Sequence, residues 1–386
     1  RNWNRTYEMV PDEIKGGALL LHGLSDSPYS LRRLAEILYQ RGFYVLALRL
    51  PGHGTIPAAL TEVRWEDWRA ASRIGAKHVR KRIGSEPPFF VAGFSNGGAL
   101  AVTYALDAMV NEQLPEPEQL LLFSPEIGIS PFASIANSQK LLSFIPYFAK
   151  FKWLSIQPEY DPFKYNSFPK NAAQEAWELT DFLDKRVTAA HSAGLLKTFP
   201  GVLTFLSWQD STVYTSATIH RLYSYLDNDD SELVIFDVNR FDSLVPFIPA
   251  ANASPLLKLK ADANLPYRLT VITNVSGESE EMAEKTKAPH TAVIESRPLG
   301  LMWPQGVYSL SHVAIPFSPD DPVYGAGSVV GSDYQGLPLG ALSPRGETRL
   351  LIAPVGQLMR LRHNPFFSYI EARVEEEIRE SFYPVK

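Results

Sequence analysis

Short continuous apolar runs alternate along the first third of the chain with stretches whose apolar residues recur every three or four positions. The runs are Gly17-Ala18-Leu19-Leu20-Leu21, Phe43-Tyr44-Val45-Leu46-Ala47-Leu48, Phe89-Phe90-Val91-Ala92 and Gln119-Leu120-Leu121-Leu122-Phe123. None keeps a polar face for water, so each predicts a strand covered on both sides in a mostly parallel sheet. Between them, Leu31, Leu34, Ala35 and Leu38 make one helical stripe. Trp65, Trp68, Ser72, Gly75, Val79 and Ile83 make a second, and Leu100, Tyr104, Ala105 and Ala108 a third. Ser27-Pro28 reads as N-cap and first residue of the first helix, and Gly42 as its stop. Strand and helix in turn predict an α/β fold, a doubly wound parallel sheet with right-handed crossovers and an added edge strand over residues 6–10.

After residue 127 the pattern changes. Residues 128–200 show no clean strand and are rich in large aromatics, with helical patches at 139–150 and 172–190. We read this stretch as an inserted, mainly helical lid whose apolar underside faces the carboxyl edge of the sheet, with a second small core as the alternative. Regular order returns with strands at 201–207 and 232–238 and a helix carrying Ile219, Leu222, Tyr223 and Leu226. Residues 239–306 read as an irregular insertion with one strand at 268–274 and a polar surface loop at 276–289. Val307-Tyr308-Ser309-Leu310 reads as a short strand, residues 349–353 as a last one, and Phe367, Ile370, Val374 and Ile378 as the stripe of a closing helix. The expected division is thus a core of residues 1–127 and 201–386 with a lid at 128–200.

Composition narrows the chemistry. The 386 residues are 45% hydrophobic and 20% charged, ordinary for a chain with a sizeable core, and the formal net charge of −5 offers no footprint for nucleic acid. The absence of cysteine removes disulfides, thiolate nucleophiles and cysteine-ligated metals. No apolar run is long enough to span a bilayer, so a soluble body is expected. Compartment and oligomeric state stay open, and a chain shown from Arg1 is compatible with a removed upstream signal or anchor. Neither His-Glu-x-x-His nor a paired-carboxylate motif occurs. Gly325-Ala326-Gly327 lacks the strand-to-helix context of a dinucleotide site, so no cofactor is expected.

One stretch carries nucleophile chemistry. Gly93-Phe94-Ser95-Asn96-Gly97 lies where a buried strand turns into a helix, and a turn that tight needs small neighbours and puts its central residue in strained backbone angles. The Ser95 hydroxyl would stand above the sheet edge with a helix N-terminus aimed at it. A serine there needs a base to take its proton and a carboxylate to orient that base. Asp210, just past the strand at 201–207, is the leading acid; Asp237 and Asp242 follow a weaker strand. Among the histidines beyond it, His220 falls in a helix, His363 just ahead of one, and His290 after a polar loop. His312 comes directly off a short apolar segment and leads, with His290 the main alternative.

Taken with His22-Gly23 and Leu50-Pro51-Gly52-His53-Gly54 at the ends of two buried strands, and Asp210-x-x-Val213 after a late one, the elbow resembles that of the α/β-hydrolases of the monoacylglycerol lipase, carboxylesterase and serine aminopeptidase branch. Residues 239–306 depart from that pattern, in which the histidine follows the acid more closely. The resemblance implies Ser95 as nucleophile and the chain order serine, acid, histidine. It also implies the backbone N–H groups of Leu24 and Asn96 as the oxyanion hole. His22 and His53 are read as loop braces. The expected activity is hydrolysis of a small carboxylic ester with an apolar acyl chain, through an acyl-enzyme. The alternatives are an aminopeptidase or amidase, for which Glu159, Asp161, Glu175 and Glu178 could hold a substrate amine, and a non-catalytic binding protein of the same fold.

Overall fold

The computed structural model describes residues 2–128, 152–249, 260–262, 264–327, 338–341 and 359–383, together with the single positions 257, 334, 336 and 356. The helix expected at 139–150 and the strand expected at 349–353 lie outside the described residues.

The apolar runs form strands, as their lack of a polar face requires. An edge strand β1 (Tyr7–Met9) is followed by β2 (Gly16–Leu21), helix α1 (Arg32–Gln40), β3 (Phe43–Leu48), α2 (Trp65–Ile83), β4 (Phe89–Phe94), α3 (Asn96–Ala108) and β5 (Gln119–Phe123). Along β2 and β4 the side chains alternate between two apolar cores. Leu19, Leu21, Phe89 and Val91 pack with Trp68, Val79, Leu100 and Tyr104 of α2 and α3. Ala18, Leu20, Phe90 and Ala92 pack with Leu34 and Leu38 of α1 and with the last helix. The first helix is entered through a 3-10 turn, Pro28–Leu31, with Ser27 at its cap position.

A short ribbon, β6 (Trp153–Ser155) with β7 (Phe168–Pro169), leads into α4 (Lys170–Ser192). Leu179, Leu183 and Val187 of α4 sit in the same core as α2 and α3. Asp107 of α3 fastens the three helices: Arg69 and Arg73 of α2 donate to its carboxylate from 2.8 and 3.0 Å, and Arg186 of α4 lies 3.8 Å away. Tyr165 ties the ribbon segment to the strand-end loops, its hydroxyl donating to the Gly52 carbonyl at 3.2 Å and its N–H to the Ser25 carbonyl at 2.7 Å.

Next come β8 (Gly201–Ser207), α5 (Thr215–Arg221), β9 (Glu232–Phe236), β10 (Arg268–Asn274), β11 (Glu281–Lys287), β12 (Glu295–Met302) and α6 (Phe367–Phe382). Among the described residues the sheet has ten strands in the order β1-β3-β2-β4-β5-β8-β9-β10-β11-β12, parallel from β3 to β10 and antiparallel at both ends. The stretch expected to be irregular therefore extends the sheet, and the expected surface loop at 276–289 contains β11. Its residues are polar because they pair laterally. Glu284 accepts from Arg297 of β12 at 3.0 Å and from the Tyr369 hydroxyl at 2.7 Å, and the Lys287 ammonium donates to the carbonyls of Lys260 and Asp262. Val307–Leu310 joins no strand ladder; its carbonyls are captured singly instead. The Tyr308 carbonyl accepts the Asn239 N–H at 2.8 Å, and the Leu310 carbonyl accepts the Ser207 hydroxyl at 2.9 Å. No helix among the described residues is long and apolar enough to cross a membrane.

Candidate active site

The site is built where parallel strands end. β4 runs into Ser95, whose φ of 54° and ψ of −119° put it in the strained region expected of a turn between strand and helix. A Cβ on Gly93 would collide with the Gly97 carbonyl, and one on Gly97 with the Leu21 carbonyl of β2. Neither obstacle can rotate away, since both are backbone. Gly97→Ala is therefore expected to destabilise the fold by about 3 kcal/mol and to abolish turnover; an unchanged urea midpoint would remove the argument. The Ser95 carbonyl caps α3 by accepting the Gly98 N–H at 2.8 Å. The N–H of Asn96 stands in the first helical turn, where backbone donors have no intrahelical acceptor.

Asp210 and His312, far apart in the chain, meet at the ends of β8 and of the Val307–Leu310 segment. His312 Nδ1 lies 2.7 Å from Asp210 Oδ2, and the carboxylate is fully buried. Asp210 Oδ1 accepts the N–H groups of Thr212 and Val213 at 2.7 and 3.0 Å. Burial alone would raise the pKa of this carboxyl, but the adjacent imidazole and the three hydrogen bonds outweigh it and hold the group below the ordinary aspartate value. With a carboxylate on one side, His312 carries its proton on Nδ1, which leaves Nε2 free to accept another.

The loop after β2 passes over the serine: a Cβ on Gly23 would stand 3.3 Å from the Ser95 Cβ. Two histidines brace that loop. His22 Nε2 accepts the Leu50 N–H at 3.0 Å, so Nδ1 carries the proton and donates to the Gly23 carbonyl at 2.9 Å. Burial pushes the His22 pKa well down, and the ring is neutral. His53 reaches the Leu24 carbonyl at 2.7 Å and the Pro51 carbonyl at 2.9 Å, tying the ends of β2 and β3 together. Burial lowers its pKa as well, against the pull of those carbonyls.

Ser95, His312 and Leu24 line one cavity of about 240 Å³. Phe168, Ala173, Ala176 and Val313 supply apolar walls. The profile of the alpha/beta hydrolase family matches residues 18–275, covering the elbow, both braced loops and Asp210. The chain belongs to this family.

Two curated relatives carry ester-cleaving names. A thermostable monoacylglycerol lipase of Bacillus sp. (strain H-257) is 36% identical over 89 residues, 23% of this chain and 34% of the relative. A carboxylesterase of Bacillus subtilis (strain 168) is 27% identical over 133 residues, 34% of this chain and 53% of the relative. The chain thus spans between a third and about half of the length of these relatives. Among solved structures, one reported for the metagenome-derived lipolytic enzymes LipS and LipT aligns with a TM-score of 0.49 at 21% identity, covering 60% of this chain and 87% of that one. The Paleococcus ferrophilus monoacylglycerol lipase aligns with a TM-score of 0.43 at 18% identity, covering 60% and 88%.

In this α/β hydrolase the rival acids and bases lie away from Ser95 and do not line its cavity. Asp237 accepts from Arg240 and from the Thr273 hydroxyl, and Asp242 is exposed to solvent and does not line the cavity. His290 faces Asp229 at 3.3 Å, His363 the Tyr324 carbonyl at 3.3 Å, and His220 is exposed on α5. The four acids named for an amine-binding role also have partners. Glu159 caps the N–H groups of Asn166 and Ser167, Asp161 takes Tyr324 and Arg362, Glu175 takes the Trp65 N–H, and Glu178 takes Gln174. The sequence reading missed four charged residues on the cavity wall: Asp26, Glu126, Lys164 and Arg360. Only Asp26 and Glu126 lie within a few residues of a strand end, the one local signal that could have flagged them. Among the described residues no group of three or more His, Asp or Glu gathers as a metal site.

Proposed function

We propose that this α/β hydrolase is a serine esterase working through an acyl-enzyme. Ser95 attacks the ester carbonyl while His312 Nε2 takes its proton. Asp210 stabilises the imidazolium, and the N–H groups of Leu24 and Asn96 receive the oxyanion. His312 then protonates the leaving alcohol, and a water activated by the same ring releases the acid. The observation that carries this reading is the 2.7 Å contact between His312 Nδ1 and Asp210 Oδ2 at the cavity onto which the Ser95 elbow opens. The names of the curated relatives support the ester as substrate. The apolar wall of Phe168, Ala173, Ala176 and Val313 supports an apolar acyl chain. Phe168 comes from β7 and Ala173 and Ala176 from the first turns of α4, so in this reading residues 152–176 close over the acyl chain while the rest of α4 belongs to the core. The engagement of Glu159, Asp161, Glu175 and Glu178 weighs against a peptidase.

The test is a fluorophosphonate probe combined with p-nitrophenyl esters of graded chain length and aminoacyl anilides. The expected result is label on Ser95, ester turnover that rises from acetate to hexanoate, and little anilide cleavage. Label elsewhere, or anilides cleaved faster than esters, would reject the proposal.

A further inference from the structure

Glu126 is one of the cavity residues to which the proposed reaction gives no task. It is held there by its neighbours. The chain leaves β5 through Ser124, whose φ of 41° is unusual for a residue with a side chain, and Pro125 sits against α3 so closely that a Cβ on Gly98 would come within 2.6 Å of its ring. The Glu126 N–H then donates to the Ser95 carbonyl at 2.9 Å, which fixes its backbone beside the nucleophile. The residue is 7% exposed and lines the same cavity as Ser95 and His312. Among the described residues its Oε2 has no hydrogen-bond partner.

A buried carboxyl with a free oxygen is unfavourable unless something binds it. The charged groups around the cavity do not. Lys164 pairs with Asp26 at 3.5 Å, Arg360 donates to the Thr212 hydroxyl at 3.1 Å, and Asp210 is paired with His312. Burial, and then the charge of Asp210, push the Glu126 pKa up to about 8. At neutral pH the group is a carboxylic acid, able to donate one hydrogen bond.

We propose that the Glu126 carboxyl donates a hydrogen bond to an oxygen of the bound ester other than the scissile carbonyl, so that the preferred substrate carries an ether, hydroxyl or carbonyl oxygen close to the bond that is cut. The inference rests on the esterase reading and adds a polar requirement to its apolar acyl wall. A cationic substrate group does not fit, because Arg360 and Lys164 share the cavity.

The experiment compares kcat/KM for two pairs of esters matched in length. One pair is p-nitrophenyl hexanoate and p-nitrophenyl propoxyacetate, which differ by an oxygen in the acyl chain. The other is pentyl hexanoate and 2-ethoxyethyl hexanoate, which differ by one in the alcohol. Comparing enzymes through the ratio within each pair cancels the intrinsic reactivity of the esters. In at least one pair the wild-type ratio of oxygen ester to carbon ester is expected to exceed that of Glu126→Leu by about tenfold. Glu126→Gln, whose amide still donates, is expected to keep the preference. As pH rises through about 8 the wild type loses its preference, because the ionised carboxylate no longer donates, whereas Glu126→Gln does not. Equal ratios in wild type and Glu126→Leu for both pairs overturn the inference, as does a Glu126→Gln enzyme that behaves like Glu126→Leu at pH 7. Turnover that survives Ser95→Ala fails the esterase reading as well; turnover that needs Ser95 but shows unchanged ratios fails only the role of Glu126.

Discussion

Ser95→Ala is expected to lower kcat for ester hydrolysis by about a million-fold, and His312→Ala by about as much. The two losses are not additive, because the hydroxyl without its base is a poor nucleophile and the base without its hydroxyl has nothing to activate. The double variant should therefore be no slower than either single one. Single-turnover release of p-nitrophenol, with circular dichroism to show that the fold persists, measures all three. The structural cost at Ser95 is small, since the strained backbone there is imposed by Gly93, Gly97 and the Leu21 carbonyl and not by the hydroxyl. A loss below a hundredfold in Ser95→Ala would mean that the chemistry runs through another group.

Asp210→Asn is expected to cost about ten-thousandfold in kcat near neutral pH with KM little changed. The wild-type carboxylate accepts from His312 Nδ1 at 2.7 Å and so keeps Nε2 free to take a proton, that of Ser95 in the proposed reaction. Asparagine can face the ring with its N–H₂ group, because its carbonyl oxygen keeps the Thr212 and Val213 N–H groups that Oδ1 now holds. The imidazole then places its proton on Nε2, and the base is lost with the geometry intact. The pH profile separates this from simple unfolding. Hydroxide can replace the missing base, so the variant should regain rate with rising pH over a range where the wild type is flat. The stability consequence has its own sign. The folded-state pKa of Asp210 lies below its unfolded value, so the pair's contribution is present above the ordinary aspartate range and is lost as pH falls through the lowered one. Asp210→Asn should therefore flatten the acid side of the stability curve.

The parts of this protein legible in its sequence are those whose physics is local or periodic. β2, β3, β4 and β5 were readable because a strand covered on both faces has no polar residue to interrupt it, and α2 because its apolar residues repeat at three and four. Ser95 was readable because the steric demand of the elbow falls on residues two positions away, Gly93 and Gly97. Residues 281–287 were not readable as a strand, since β11 earns its place by lateral pairs such as Glu284 with Arg297, and such pairs leave no apolar alternation behind. Val307–Leu310 looked like a strand for the opposite reason. Only Leu310 of it is buried, and its carbonyls go to Asn239 and Ser207 and not to a ladder.

What the sequence by itself determined is the layered α/β architecture and the position of the strained serine, both set by interactions within a few residues. What only the tertiary structure decided is which acid meets which histidine and what else faces the serine. Asp210 and His312 are 102 positions apart, and Glu126, though it follows a strand end, is buried only by what packs around it. Pairing across such distances depends on the order in which strands lie side by side, with β5 and β8 adjacent beside β4. That order is fixed by the packing of the whole sheet and is written in no single stretch of the chain.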